Sequence, residues 1–245
     1  MNNNLYSNIL QERINAIKEL NSNDETIFLK SVHAVWKEYW FGSPNAWIAF
    51  IGASPGNSPG GEYEKMQLPS FLKACDHFNY DDKRGFWKTI KEYSEFIVDD
   101  IAIQENINPF QLIISGNLVK KHAGDSRTIS LKPEDEEVKK SIELLKRVQP
   151  KVVFTLQKEV QEIIKEILLS QKFTQSGVSE VYEIPSGKSK PEHYKVTNIK
   201  LESPDKSWRF ILSKTPMHPS RKQLCDENNT KAFLKKVFVS SLTMN

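Results

Sequence analysis

Three short stretches carry residues whose types and spacing could act on a bound molecule. The first, Gly52-Ala53-Ser54-Pro55-Gly56-Asn57-Ser58-Pro59-Gly60-Gly61, follows the apolar run Trp47–Ile51. Small residues directly after a buried strand leave backbone amides uncovered, so a ligand can approach them closely. The order fits neither the dinucleotide fingerprint Gly-x-Gly-x-x-Gly nor a phosphate loop ending in Gly-Lys-Ser/Thr, so a nucleotide cofactor is not supported. The second is Gly116-Asn117 with Lys120, Lys121, His122 and Arg127 behind it. An asparagine at a strand end donates and accepts in fixed geometry, which suits reading the edge of a pyrimidine. The basic residues after it suit backbone phosphates. The third is Met217-His218-Pro219-Ser220, after Phe210-Ile211-Leu212. A histidine held by a following proline can turn its ring into a crevice and stabilise negative charge on a leaving group. Lys214, Arg221 and Lys222 make this last loop, read as 213–222, a second basic spot. Taken singly, a surface turn, a capped strand end and an ordinary hydrogen-bonding histidine account for the same residues.

Positioning these loops requires strands, and the chain offers four short apolar ones: Trp47–Ile51, Phe110–Ser115, Val152–Leu156 and Trp208–Leu212. Helical stripes lie between and after them. Phe86, Trp87, Ile90, Tyr93 and Phe96 form one; Val138, Ile142, Leu145 and Val148 a second; Val160, Ile163, Ile164 and Ile167 a third; Phe233, Leu234, Val237 and Phe238 a fourth. Pro133 with acidic residues behind it marks the start of the second stripe's helix, and Pro150 its end. Two further helices are expected within 1–44, from Leu5, Ile9, Ile14, Ile17 and Leu20 and then from Ile27 to Tyr39, stopping near Gly42. Residues 176–204 read as a β-hairpin around Pro185-Ser186-Gly187-Lys188, inserted before the last core strand. Alternation of strands and helices predicts an α/β fold: a three-layer α/β/α sandwich around a central, mostly parallel four-stranded sheet, with N-terminal helices and the inserted hairpin. Two loops at the carboxyl ends of parallel strands would meet at one crevice, where open α/β sheets bind ligands.

Composition sets outer bounds. A chain of 245 residues with 38% hydrophobic and 27% charged residues fills one globular domain, 1–245. The net charge of +3 is small, so any nucleic-acid surface is local. No apolar run is long enough to span a bilayer. Met1-Asn2-Asn3-Asn4-Leu5 lacks the charged start and apolar stretch of a secretion signal, so none is expected. Cys75 and Cys225 are too few for a disulfide framework, a cysteine-ligated zinc site or an iron–sulfur site. The expectation is a cytoplasmic monomer without cofactor or metal.

The order of these features resembles the uracil-DNA glycosylase superfamily. Strand–GASPG, strand–Gly116-Asn117 with its basic loop, a helix with an acidic start, the Pro150-Lys151-Val152-Val153-Phe154 strand and strand–His218-Pro219-Ser220 follow its pattern over roughly residues 45–240. The central part is most similar to the iron–sulfur branch of bacteria and archaea. The last motif, with Asn228 and Asn229 after it, is similar to the single-strand-selective branch. The resemblance implies that Gly52, Ala53, Ser54, Pro55 and Gly56 match the water-activating loop. It also implies that Asn117 reads the base and that His218 stabilises the departing base anion. Ser220 and its neighbours Arg221 and Lys222 would grip DNA together with Lys120, Lys121 and Arg127. Tyr63 or Phe71 would stack on the flipped base.

Two departures stand out. The branch's cysteines are missing, and Ala53 and Ser54 stand where the family carries a carboxylate or an asparagine. Asn57, Glu62 or Glu64 from the same loop could then orient the water. The resemblance implies a monofunctional DNA glycosylase acting on uracil or on a bulkier modified pyrimidine, such as those of phage DNA, in repair or anti-phage defence. The rival expectation is an idle reader of modified bases or single-stranded DNA. A third, an unrelated small-molecule α/β enzyme, is favoured if the two motif loops lie at opposite ends of the sheet.

Overall fold

The computed structural model describes residues 40–42, 46–53, 90, 92–98, 112–119, 130–176, 180–185, 193–216 and 227–244. In chain order these form β1 (Trp40–Gly42), β2 (Ile48–Gly52), α1 (90 and 92–98), β3 (Ile113–Asn117), α2 (Glu136–Val148), β4 (Val152–Thr155) and α3 (Lys158–Ser170). Then come β5 (Thr174–Gln175), β6 (Glu180–Pro185), β7 (His193–Glu202), β8 (Arg209–Lys214) and α4 (Glu227–Leu242). The fold class is α/β, built on one sheet in the order β1-β3-β2-β4-β8-β7-β5, with β6 also paired to β7.

Strands β3, β2, β4 and β8 run parallel to one another. Their short apolar runs, buried on both faces, are what such strands require. The expectation of a mostly parallel sheet of four strands is corrected, however. Among the described residues the sheet has eight strands and is mixed. β1 joins β3 antiparallel, and β5, β6 and β8 all pair antiparallel with β7. The physical reason is the length of β7. Its ten residues take β6 on one side over residues 193–198 and β8 on the other, so the hairpin extends the sheet instead of standing apart from it. Trp40–Gly42 is a second correction, because the N-terminal helix was expected to run to about Gly42. These residues instead complete the edge of β3, where Trp40 pairs with Gly116. The helices expected before them, in 1–39, lie outside the described residues.

Side chains that alternate along each strand sort into two cores. On one face Ile48, Phe50, Ile113, Val152, Phe154 and Ile211 pack with α1 and α4, through Ile90, Tyr93, Ile97, Phe233, Leu234, Val237 and Phe238. On the other, Ala49, Ile51, Ile114, Val153, Phe210 and Leu212 pack with the inner stripes of α2 and α3. Each fully buried side chain of this size stabilises the fold by about 1.5–3 kcal/mol. Phe50 and Phe154, neighbours in register, stack with centroids 5.4 Å apart. Phe96, expected in the stripe of α1, is instead 39% exposed. Ile97 takes the inner position, and Lys231 and Lys235 of α4 lie over the Phe96 ring.

The punctuation between elements follows local chemistry. Helix α2 starts at Glu136, so Pro133 sits in the turn before its N-cap, not in its first turn. Its end is set by Gln149 in the left-handed region, φ 51°, and by Pro150, whose carbonyl accepts the Trp208 indole N–H at 2.8 Å. The β7–β8 turn is held by Asp205, which accepts from the Ser203 hydroxyl and from the Ser207 hydroxyl and amide. No helix among the described residues is long and apolar enough to cross a membrane.

Candidate functional site

Because β2 and β8 are both parallel to β4, their carboxyl ends open on the same edge of the sheet. The loops that follow Gly52 and Lys214 therefore leave from one side, together with the loop that follows Asn117. That is the edge where a parallel α/β sheet presents a crevice. The arrangement removes the geometric ground for the third expectation, an enzyme with its motif loops at opposite ends.

At this edge Gly52 and Asn117 are direct partners in register. A Cβ on Gly52 would lie 2.5 Å from the Asn117 side-chain oxygen and 3.5 Å from Leu156 Cδ1. Glycine is needed here for space: its bare Cα lets the asparagine amide lie across the strand end. The pairing continues past the strands, since Leu118 N–H donates to the Gly52 carbonyl at 3.0 Å and Val119 N–H to the Ala53 carbonyl at 3.1 Å. Helix α2 braces the same corner, where the buried Ser141 hydroxyl lies 3.2 Å from the Asn117 carbonyl and 3.0 Å from that of Leu118. Asn117 is itself half-buried, and beneath this corner Ser115, Phe50 and Phe154 continue the same face.

The middle of the edge is set by β4. Leu156 N–H donates to the Ile51 carbonyl at 2.9 Å, and Gln157 Oε1 accepts from the Ala53 N–H at 3.1 Å. On the far side Thr215 donates to the Thr155 carbonyl through both its amide, 2.8 Å, and its hydroxyl, 3.3 Å. Two residues expected in the last loop are strand residues. Ser213 is fully buried and donates to Asn198 Oδ1 of β7 at 2.6 Å. Lys214 pairs in register with Thr155. Burial holds the Lys214 ammonium below the usual lysine pKa, Glu159 works against that shift, and Lys158 adds to it. A partly desolvated amine at this edge can neutralise an anion or act as a neutral donor.

Of the site residues expected from sequence, the structure brings together Gly52, Ala53 and Asn117. Ser54, Pro55, Gly56, Asn57, Glu62, Tyr63, Glu64, Phe71, Lys120, Lys121, Arg127, His218, Ser220, Arg221 and Lys222 lie outside the described residues. Sequence reasoning missed Gln157. The signal was present, because a polar residue between a buried strand and a helix is at an N-cap, but its partner is 104 positions away. The chain matches no protein-family model and no curated protein.

Proposed function

We propose that this protein is a monofunctional DNA glycosylase. It takes a uracil-like or modified pyrimidine out of the DNA stack and hydrolyses its N-glycosidic bond, leaving an abasic site. The observation that carries this reading is the pairing of Gly52 with Asn117 at the carboxyl edge. The Asn117 side-chain oxygen fills the space that a Cβ on residue 52 would take, so a residue without a side chain lets this asparagine lie across the strand end. That places it at the carboxyl edge, where parallel α/β sheets take their ligands. In this reading Asn117 matches its donor and acceptor to the edge of the flipped base. His218, on the loop that leaves β8 at the same edge, stabilises the departing base anion. Asn57 or Ser54 from the first loop orients the attacking water.

Helical cover on both faces of the central parallel strands supports a three-layer α/β/α arrangement, as the resemblance to the uracil-DNA glycosylase superfamily implies. Lys120, Lys121, Arg127, Ser220, Arg221 and Lys222 contact the DNA backbone in the same account. The protein acts as a cytoplasmic monomer without cofactor, in repair or in defence against modified phage DNA. A reader of modified bases is the second reading, and Ala53 and Ser54 favour it, since neither supplies a carboxylate.

The test is a strand-scission assay for abasic sites, run on duplex and single-stranded DNA containing uracil or modified cytosines. Glycosylase activity predicts scission after alkali with wild-type protein and its loss with His218→Ala. Tight, base-selective binding with no scission on any substrate would establish the reader instead.

A further inference from the structure

We infer that Gln157 is a positioning residue of this site, holding the entrance of the first loop in register with Asn117. The inference rests on the glycosylase reading above and adds to it a residue that the resemblance does not supply. Gln157 occupies the N-cap of α3 in extended backbone, φ −132° and ψ 155°, yet its side chain does not cap its own helix. Ser, Thr, Asp or Asn is the usual choice there, because a short side chain reaches the free amides of the first turn. The longer glutamine reaches away from the helix, and its Oε1 accepts the Ala53 N–H at 3.1 Å.

Ala53 is the residue at which the first loop leaves β2. Its carbonyl is held on the β3 side by Val119 N–H, 3.1 Å, as that of Gly52 is by Leu118 N–H, 3.0 Å. The Gln157 bond holds the amide of the same residue from the β4 side. Residue 53 is therefore pinned between the two neighbouring strand ends, and among the described residues the β4-side bond is its side-chain-made one. Release of that bond frees the planar Gly52–Ala53 peptide unit to tilt through the flanking torsions, ψ of Gly52 and φ of Ala53. Gly52 in turn has no slack, since the Asn117 oxygen already fills the place of its missing Cβ. A small rotation at residue 53 thus reaches the amide that reads the base. The same bond occupies the Ala53 N–H, so this amide is taken up within the protein and is not offered to a ligand.

The experiment uses the full chain with Gln157→Leu, which keeps the size and removes the acceptor, and Gln157→Glu, which keeps an acceptor. Hydrogen exchange of the Ala53 amide reads the tether directly. It should be faster in Gln157→Leu and protected in Gln157→Glu and wild type. Base release should show kcat lowered by about tenfold in Gln157→Leu, the scale of one lost positioning hydrogen bond. KM for DNA should stay within about twofold, and kcat should be restored in Gln157→Glu. Thermal midpoints close to wild type in both variants separate this from a general loss of fold. Unchanged exchange at Ala53 in Gln157→Leu overturns the tether. Faster exchange with unchanged kcat overturns its role in positioning. If wild type releases no base at all, the glycosylase reading fails on its own, and the inference is then judged by exchange together with affinity for base-containing oligonucleotides. Equal affinity in wild type and Gln157→Leu would overturn it.

Discussion

Replacing Gly52 by alanine should separate function from stability more sharply than any other single change at the carboxyl edge. The added Cβ would stand 2.5 Å from the Asn117 side-chain oxygen, while ordinary contact begins at 3.4 Å. The Leu156 methyl, at 3.5 Å, already clears it. The group that must yield is the Asn117 amide, and by about 0.9 Å if it moves straight back from the 2.5 Å approach to the 3.4 Å one. A turn of χ1 or χ2 of that size costs about 0.5–1.5 kcal/mol, so the fold should survive with its unfolding midpoint slightly lowered. A misplacement near 1 Å of a group that orients the substrate costs about a hundredfold in rate. That corresponds to about 2.7 kcal/mol of transition-state stabilisation. Single-turnover base release from the preferred DNA, measured beside a urea unfolding curve, reads both quantities. Gly52→Ala with native release would refute the idea that Asn117 works from the position it occupies against Gly52. Gly52→Ala that unfolds outright would place the strain in the backbone, contrary to the argument.

Three further outcomes follow from the structure and a fourth from the proposed DNA contacts. Phe154→Ala should lower stability by about 3–5 kcal/mol, because it removes a fully buried ring stacked on Phe50; a urea denaturation curve measures it. Lys214→Met should raise the urea midpoint at pH 7, since burial disfavours the ammonium. That gain should shrink as pH climbs towards 10.5, where the amine loses its charge in the unfolded chain too and the cost of burying the ammonium disappears. Asp205, held at a pKa of about 2 by bonds from Ser203 and Ser207, contributes stability that is present above about 3.8 and lost as pH falls through about 2. Asp205→Ala should therefore be less stable than wild type at pH 7, with the two curves converging in strong acid. Lys120→Ala with Lys121→Ala should flatten the slope of log affinity for DNA against log salt by about two, one phosphate for each lysine.

Much of the central fold was legible because burial leaves a period in the sequence. Val138, Ile142, Leu145 and Val148, or Phe233, Leu234, Val237 and Phe238, can be recognised as helix faces without any partner in view, and all are buried. Val152–Thr155 is marked by Pro150 before it and by the polar Gln157-Lys158 after it. What stayed hidden was everything decided by which strand lies beside which. The β1 segment reads as the tail of a helix until β3 offers it an open edge. Ser213 and Lys214 read as loop because they are polar, yet Asn198 on β7 satisfies the serine and Thr155 on β4 pairs with the lysine, so both belong to the strand. The apolar pattern of α1 fits Phe96 as well as Ile97, and only packing against α4 decides that the aromatic faces outward.

The site divides along the same line. Gly52 and Asn117 could each be singled out by type and by position after an apolar run, but their contact is a property of sheet order. Gln157 is marked locally as a polar N-cap residue, but its bond to Ala53, 104 positions away, is not. The central claim is that the Gly52–Asn117 corner receives a nucleobase that the protein then sets free. Mass-spectrometric identification of the free base released from a panel of uracil-containing and modified DNAs, wild type beside Asn117→Ala, tests it most directly. The account predicts one or a few pyrimidines released by wild type, and a loss of about a hundredfold or more in Asn117→Ala. Undiminished release of the same base by Asn117→Ala, or free base from no DNA at all, would contradict it.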